Sequence, residues 1–286
     1  MPANFRAELV ACFGQPVAEN PTGAMQEAAF QALGLNWRYL TVEVPPARLR
    51  DAVVGARAFG MSGLNLTIPH KVAVMQYLDE VSPDAAMIGA VNTVRREGDR
   101  LIGENTDGKG FLRGVRLDAG MDPRGKRAAI LGAGGAARAI ATELALAGAA
   151  NLLIVNRSRQ RAEPMVRDVA ANTKVPIRYE EWRGTWRVSP EFDLLVNATS
   201  IGLYPSVDDM PPVDFSGAAP SLLVADAVFN PPETRLLAAA RARGLQVVDG
   251  LSMLVYQGVI GFRLWTGQDP PEHVMKRALK AALGIS

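Results

Sequence analysis

Apolar positions along the chain follow two rhythms. Compact apolar runs bounded by glycine, proline or polar residues occur at Leu9–Phe13, Gly63–Ile68, Arg127–Leu131, Asn151–Val155, Phe192–Val196 and Leu222–Ala225. Runs of that length and boundary predict buried strands. Trp37–Val44 alternates instead and stops at Pro45-Pro46, which predicts a further strand. Between the runs, apolar residues recur at helical spacing. Met25, Ala28, Ala29 and Leu33 predict a helix over 23–33, with Gly34 as its stop. Further helices are predicted at 46–58, 107–119, 134–147, 158–172, 250–265 and 271–283. Ala90–Arg96 and Arg100–Asn105 flank Glu97-Gly98-Asp99, a hairpin signal. Buried strands separated by helices imply an α/β protein whose parallel sheet is covered on both faces. Residues 203–220, rich in Pro, Asp and Ser, are expected to be solvated loop. The stretch Gly120–Lys126, with Pro123 and Gly125, reads as a junction.

Composition narrows the function classes. The chain has 286 residues, enough for roughly two domains. Its net charge of +2 comes from basic residues scattered among nearly as many acids, so no nucleic-acid partner is expected. No clean run of about 18 apolar residues exists, and the N-terminus carries no basic-then-apolar leader, so no membrane span is expected and the cytoplasm is the expected location. The single cysteine, Cys12, sits in an apolar run and is read as a small buried hydrophobe in a reducing compartment. Two distant histidines and no clustered ligands argue against a metal site.

The strongest chemical signal is Ile130-Leu131-Gly132-Ala133-Gly134-Gly135-Ala136-Ala137. It follows a predicted strand and opens an Ala-rich helix, the context in which G-x-G-x-x-G/A binds a dinucleotide. Gly132 permits the tight turn. Gly134 lets the backbone approach the pyrophosphate, and Ala137 keeps helix and strand close. The helix N-terminus, with Ala133, Gly135 and Ala136 around it, offers N–H groups to phosphate. At the end of the next strand, NAD enzymes carry an acid for the ribose hydroxyl. Here stand Asn156, Arg157, Ser158 and, one turn on, Arg161, with no acid. Arginines can pair with a 2′-phosphate, so NADP is favoured over NAD.

Three polar clusters precede this segment, each at the end of a predicted strand: Asn65–Lys71, Gly89–Thr93 and Gly103–Gly108. Together they resemble the shikimate dehydrogenase family. The family pattern N-V-T-x-P-x-K reads here Asn65-Leu66-Thr67-Ile68-Pro69-His70-Lys71, with Leu66 in place of Val. G-A-V-N-T and N-T-D-G recur at Gly89–Thr93 and Asn105–Gly108. The glycine segment, Asn156-Arg157-Ser158, Asn197-Ala198-Thr199-Ser200 and Asp249-Gly250 leading to Met253 and Gln257 follow in the family's order. The resemblance spans about residues 8–280.

It implies two domains: an α/β substrate-binding domain over 1–108, completed by 251–286, and a Rossmann-like NADP-binding domain over 109–250. It implies reduction of 3-dehydroshikimate to shikimate by hydride from NADPH. Lys71 and Asp107 would form the catalytic pair, with Thr67, Asn92 and Gln257 holding ring hydroxyls or orienting that pair. Thr199, Ser200, Ala227, Gly250 and Met253 would border the cofactor. His70 matches a variable position and is read as structural. A lysine ammonium beside a carbonyl can stabilise the developing alkoxide and supply a proton, directly or through water.

Two departures bear on the substrate. The family binds the substrate carboxylate with S-x-S-P; here Asn20 and Thr22 occupy the serine positions. Phe229 stands where a tyrosine commonly precedes Asn-Pro, and so lacks a hydroxyl that helps hold substrate. Ser252 replaces a more usual glycine. The expected ligand is a small cyclic hydroxy acid, and the protein a monomer or homodimer. Two alternatives stay open: a diverged member acting on quinate or another ring acid, with NAD in place of NADP, and a non-catalytic sensor of nucleotide and metabolite.

Overall fold

The computed structural model describes residues 5–285. The chain divides into two compact units. One comprises the chain up to Thr106 together with the segment from Gln257 onward; the other is Asp107–Tyr256. The first boundary expected after residue 108 thus falls two residues earlier, and Asp107 opens the second unit. The return to the first unit, expected at 251, falls inside a helix at 256–257.

In the first unit the elements are β1 (Glu8–Gly14), α1 (Thr22–Ala32), β2 (Trp37–Glu43), α2 (Leu49–Ala58), β3 (Gly63–Leu66), α3 (His70–Ala73), β4 (Glu80–Val81), α4 (Pro83–Ile88), β5 (Thr93–Glu97) and β6 (Arg100–Glu104). The second unit adds α5 (Asp107–Asp118), β7 (Arg127–Leu131), α6 (Gly135–Leu146), β8 (Asn151–Asn156), α7 (Arg159–Asn172), β9 (Ile177–Glu181) and β10 (Trp186–Arg187). It continues through β11 (Leu194–Asn197), β12 (Val213–Asp214), β13 (Leu223–Asp226), α8 (Arg235–Ala242) and β14 (Gln246–Val248). Helix α9 (Gly250–Thr266) begins in the second unit and ends in the first, where α10 (Glu272–Ala282) follows.

The first unit carries a six-stranded sheet ordered β2-β1-β3-β5-β6-β4. β2, β1 and β3 are parallel, and the β5–β6 hairpin is antiparallel, with Glu97 opposite Arg100. Gly98 takes a φ of +59° in that turn, a conformation that glycine alone adopts without cost. Ala11, Phe13, Leu64, Leu66 and Val94 pack under Leu49, Val53 and Ala56 of α2. Phe30 of α1 stacks on Phe262 of α9 at 5.1 Å.

The second unit is built on a parallel sheet ordered β14-β13-β11-β7-β8-β9. Its central strands are apolar throughout because both faces are buried. Ala128, Ile130, Leu152, Ile154, Leu194 and Val196 face α5, α6 and α7. The alternate residues Ala129, Leu131, Leu153, Val155 and Leu195 pack with Leu236, Leu237 and Ala240 of α8 and with Trp182 and Trp186. The stretch expected to be solvated loop at 203–220 is a correction: Val213 and Phe215 are buried in that second layer, and β12 pairs with β10. No helix among the described residues is long and apolar enough to cross a membrane.

Candidate active site

In the first unit, Lys71 is fixed by its neighbours. His70 is 1% exposed, and its Nε2 donates to Val44 O at 2.7 Å, which pins the start of α3. Val91 N donates to Lys71 O at 2.7 Å. Thr67 N donates to Phe13 O, and Thr67 O accepts from His70 N. His70, buried and bonded to a backbone carbonyl, sets the backbone from which Lys71 projects.

Around these residues runs a chain of neutral polar groups. Tyr39 OH donates to Asn65 Oδ1 at 2.8 Å. Asn65 Nδ2 donates to Asn92 O at 3.1 Å and to Thr93 Oγ1 at 3.0 Å. The Thr93 and Thr106 hydroxyls lie 3.0 Å apart. Asn92 grips Thr106 twice: its Oδ1 accepts from Thr106 N at 2.7 Å and its Nδ2 donates to Thr106 Oγ1 at 3.0 Å. Thr106 Oγ1 also lies 3.5 Å from Gln257 Oε1. Asn92 and Gln257, both expected at the site, thus belong to one network. Buried polar groups paired in this way hold one another rigid, while the Thr93–Thr106 bond can run in either direction. Asn65, Thr93 and Thr106 stood inside the polar clusters of the sequence without an assigned role, and Tyr39 carried no signal beyond an apolar strand position.

At the positions of the family's two serines the structure has a different arrangement. Asn20 Oδ1 accepts from Thr22 N at 3.0 Å, a local turn that uses up the carbonyl end of the amide. Its Nδ2 faces Cys12 Sγ at 3.8 Å. Thr22 is buried. Cys12 is buried as expected, yet it faces polar neighbours. Burial pushes its thiol up to about 11, while a hydrogen bond with Tyr39 and the positive charge of Lys71 oppose that rise. The thiol is therefore neutral at physiological pH, and the Lys71 ammonium lies close enough to act on it.

The second unit holds the glycine turn. Gly132 has a φ of +108°, and a Cβ there would lie 2.9 Å from Ala198 O, so only glycine fits. Gly134 and Gly135 are exposed, and a Cβ on either would meet no atom within 4 Å. The start of α6 thus faces an open cradle bordered by Ala133 and Ala136, while Ala137 is buried against the sheet. That opening, with N–H groups of a helix start at its edge, fits a dinucleotide pyrophosphate.

At the end of β8, Asn156 Nδ2 donates to Ser158 O at 2.9 Å, shaping the turn into α7. Arg157 and Arg161 are exposed. Arg159 lies over the Tyr179 ring at 5.9 Å and pairs with Glu163 at 3.7 Å. Thr199 donates from N and Oγ1 to Asn197 Oδ1 at 3.1 and 2.7 Å; Ser200 beside it is exposed. Ala227 N donates to Asn197 O. A Cβ on Gly250 would lie 2.2 Å from Val228 O and 2.7 Å from Phe229 N, so the loop before Phe229 presses directly on the start of α9. Met253, half-buried, packs against the sheet's α5–α7 layer. Ser252 donates to Asp118 Oδ2 at 2.5 Å, a bond the usual glycine could not make. Asp107 opens α5 in this unit. Among the described residues no cluster of potential metal ligands occurs.

Three family models cover the chain in pieces. The model of the shikimate dehydrogenase substrate binding domain matches residues 12–94, that of shikimate / quinate 5-dehydrogenase matches 118–204, and that of the shikimate 5′-dehydrogenase C-terminal domain matches 250–280. A shikimate dehydrogenase (NADP(+)) of Methanopyrus kandleri is 47% identical over 95% of this chain and 94% of its own. Among solved structures, ligand-free 5-ketofructose reductase of Gluconobacter sp. strain CHM43 superposes with a TM-score of 0.93 at 46% identity, covering 97% of this chain and 99% of that one. Shikimate 5-dehydrogenase of Thermus thermophilus, in complex with NADP(H) and shikimate, gives 0.84 at 36% identity, covering 96% and 99%.

Proposed function

The chain belongs to the shikimate dehydrogenase family, and from that membership we propose that it interconverts 3-dehydroshikimate and shikimate with NADP, a step of aromatic amino acid biosynthesis. It is an NADP-dependent oxidoreductase. The quinate alternative is not favoured, because the curated relatives are named for shikimate and NADP(+). In this reading the first unit binds substrate and the second binds cofactor. The proposed setting is the cytoplasm, with the protein a monomer or homodimer.

NADPH, when bound, supplies the hydride that reduces the ring ketone. Gly132, Gly134 and Gly135 would hold its pyrophosphate, Arg157 and Arg161 its 2′-phosphate, with Asn156 and Ser158 shaping that turn. Thr199, Ser200, Ala227, Gly250 and Met253 would border the rest. Lys71 stabilises the negative charge that develops on the carbonyl oxygen and delivers a proton there. Asp107, which opens α5, is the second member of the proposed catalytic pair. Thr67, Asn92 and Gln257 orient the ring hydroxyls; Phe229 is proposed as a substrate-binding residue that offers an apolar ring and no hydroxyl.

The observation that carries the reading is the paired network from Tyr39 to Gln257, with the Lys71 backbone held by Val91 N and its charge acting on Cys12 beside Tyr39. Such a wall can recognise several hydroxyls, and Lys71 supplies a positive charge on the same unit. The test is NADPH oxidation with 3-dehydroshikimate. Lys71→Met should lower kcat by about 10²–10⁴-fold while NADPH affinity stays within about twofold. Undiminished turnover in that variant would remove Lys71 from the mechanism. No turnover by wild type on any ketone would leave the sensor reading.

A second reading is favoured by one observation: Asn20 has its oxygen committed to Thr22 N, and Thr22 is buried. This end of the site does not reproduce a pair of small hydroxyls for a carboxylate. It suits an uncharged, polyhydroxylated ketone, and the Gluconobacter relative is a 5-ketofructose reductase. Comparing kcat/KM for 3-dehydroshikimate and 5-ketofructose, both with NADPH, decides between the two. An Asn20→Ser/Thr22→Ser double variant should move the ratio toward the carboxylate substrate.

A further inference from the structure

Asp226, at the end of β13, is a buried carboxylate for which the reaction above has no use. It is 1% exposed. Its Oδ1 accepts from Asn197 Nδ2 and from Val228 N, each at 2.9 Å, and its Oδ2 accepts from Thr234 Oγ1 at 2.7 Å. Each donor belongs to a different segment. Asn197 ends β11 and shapes the turn that reaches Thr199. Val228 lies in the loop that presses on Gly250. Thr234 caps α8, its hydroxyl accepting from Leu237 N at 3.3 Å.

Two of the segments tied in this way abut places assigned to the cofactor. The Asn197–Thr199 turn closes on Gly132, where Ala198 O and Thr199 Cγ2 leave no room for a Cβ. The Val228–Phe229 backbone closes on Gly250. A single side chain therefore joins the wall of the glycine turn to the loop before Phe229.

We propose that Asp226 is a positioning residue for the cofactor: its ionised carboxylate holds the turn after β11 and the loop after β13 in the shape that admits NADP. The proposal rests on the cofactor reading of the second unit. An ionised carboxylate offers acceptors only, which matches the three donors aimed at it. A protonated one must place a hydrogen on one oxygen, and at Oδ2 that hydrogen faces the hydroxyl of Thr234. The Thr234 bond must then reverse, with the hydroxyl accepting, and the charge-assisted anchor shared by the cap of α8 and the loop before it weakens.

Burial pushes the Asp226 carboxyl up from 3.8 to about 6, and the hydrogen bonds from Thr234, Val228 and Asn197 oppose that rise. No charge contributes to the shift. β11 presents Asn197 and α8 presents Thr234, while β14 pairs Val248 beside Ala225. The charged residues on either side of Thr234, Glu233 and Arg235, are exposed in ion pairs with Arg241 and Asp208. Asp249 accepts from Ser252. The switch between the two forms thus falls near pH 6, with the holding form above it.

The experiment is NADPH titration by fluorescence between pH 5 and 8, on wild type and Asp226→Asn, with thermal melts to check folding. The amide introduced by Asp226→Asn would keep the shape of the protonated acid at every pH. The 2′-phosphate of NADPH titrates in the same range in both proteins, so the ratio of their dissociation constants isolates Asp226. That ratio should be about 5 at pH 7.5 and fall to about 1 at pH 5. Thr234→Val should move the wild-type step to higher pH, because the hydroxyl holds the carboxyl down, and Thr234→Ser should restore it. A ratio that is the same at all pH values, or already 1 at pH 7.5, would overturn the proposal. Absence of saturable NADPH binding at every pH would overturn the cofactor reading itself, and this proposal with it.

Discussion

Arg157, Arg159 and Arg161 look equivalent as letters, but their surroundings separate them. Arg159 is held over Tyr179 and by Glu163. Arg157 is exposed and makes no ion pair among the described residues, so it can turn toward a phosphate without breaking another contact. A guanidinium that forms charge-assisted bonds to a 2′-phosphate contributes roughly 1.5–3 kcal/mol. Arg157→Ala should accordingly raise KM for NADPH by about 10–100-fold and leave constants for NADH within about twofold. Arg159→Ala should change the NADPH value by no more than about threefold. Equal losses with both cofactors would mean that Arg157 supports the fold of the turn and does not select the nucleotide. The absent acid at the end of β8 made this choice legible in the sequence. Which arginine is engaged elsewhere was not, because Tyr179 lies 20 residues beyond Arg159.

Elements were legible wherever both faces of a strand are buried. β7, β8, β11 and β13 read as continuous apolar runs because α5–α7 cover one face and α8 with the β10–β12 pair covers the other. β9 escaped notice because it is the sheet's edge and its residues are half-buried or exposed. β10, β12 and β14 are two or three residues long, too short for any period to register. The polar network escaped for a related reason: Tyr39 and Asn65 are 26 residues apart, and only the parallel order β2-β1-β3 brings their strands into one sheet. Gly63 shows how tightly such elements are set. A Cβ there would lie 2.2 Å from the Trp265 ring and 2.5 Å from Val94 O, while Trp265 Nε1 donates to that same oxygen at 2.9 Å. Gly63→Ala must push the indole of α9 off β5 and break that bond. Overpacking of this kind costs about 1–3 kcal/mol, and the lost bond to a buried carbonyl adds about 1 kcal/mol. A thermal melt should show a clear drop in Tm. An unchanged melt would mean that Trp265 relaxes freely and that α9 is less firmly seated than the contacts indicate.

The whole molecule is two units, each with its own sheet and its own buried layers. The return of the chain through α9 brings Gln257 into the unit that holds Asn92 and Thr106, so residues far apart in sequence share one network. The division into two units also makes a single unfolding free energy an unsafe description, since two-state behaviour is a property of single domains. Binding to the native form alone stabilises it by RT ln(1 + [L]/Kd), about 2.7 kcal/mol at a hundredfold excess over Kd. If the glycine turn, Arg157 and the loops tied by Asp226 all serve NADPH, that stabilisation is delivered to residues 107–256 first. Hydrogen exchange resolved by segment is the measurement suited to this. Saturating NADPH should slow exchange in β7, α6, β8 and β13 by up to about 100-fold, with β1, β2 and α1 changing far less. The preferred ketone added alone should protect the segments around Thr67, Asn92 and Thr106 instead. Protection by NADPH spread evenly over both sheets would show the units to unfold as one, and the assignment of cofactor and substrate to separate units would then lose its thermodynamic basis.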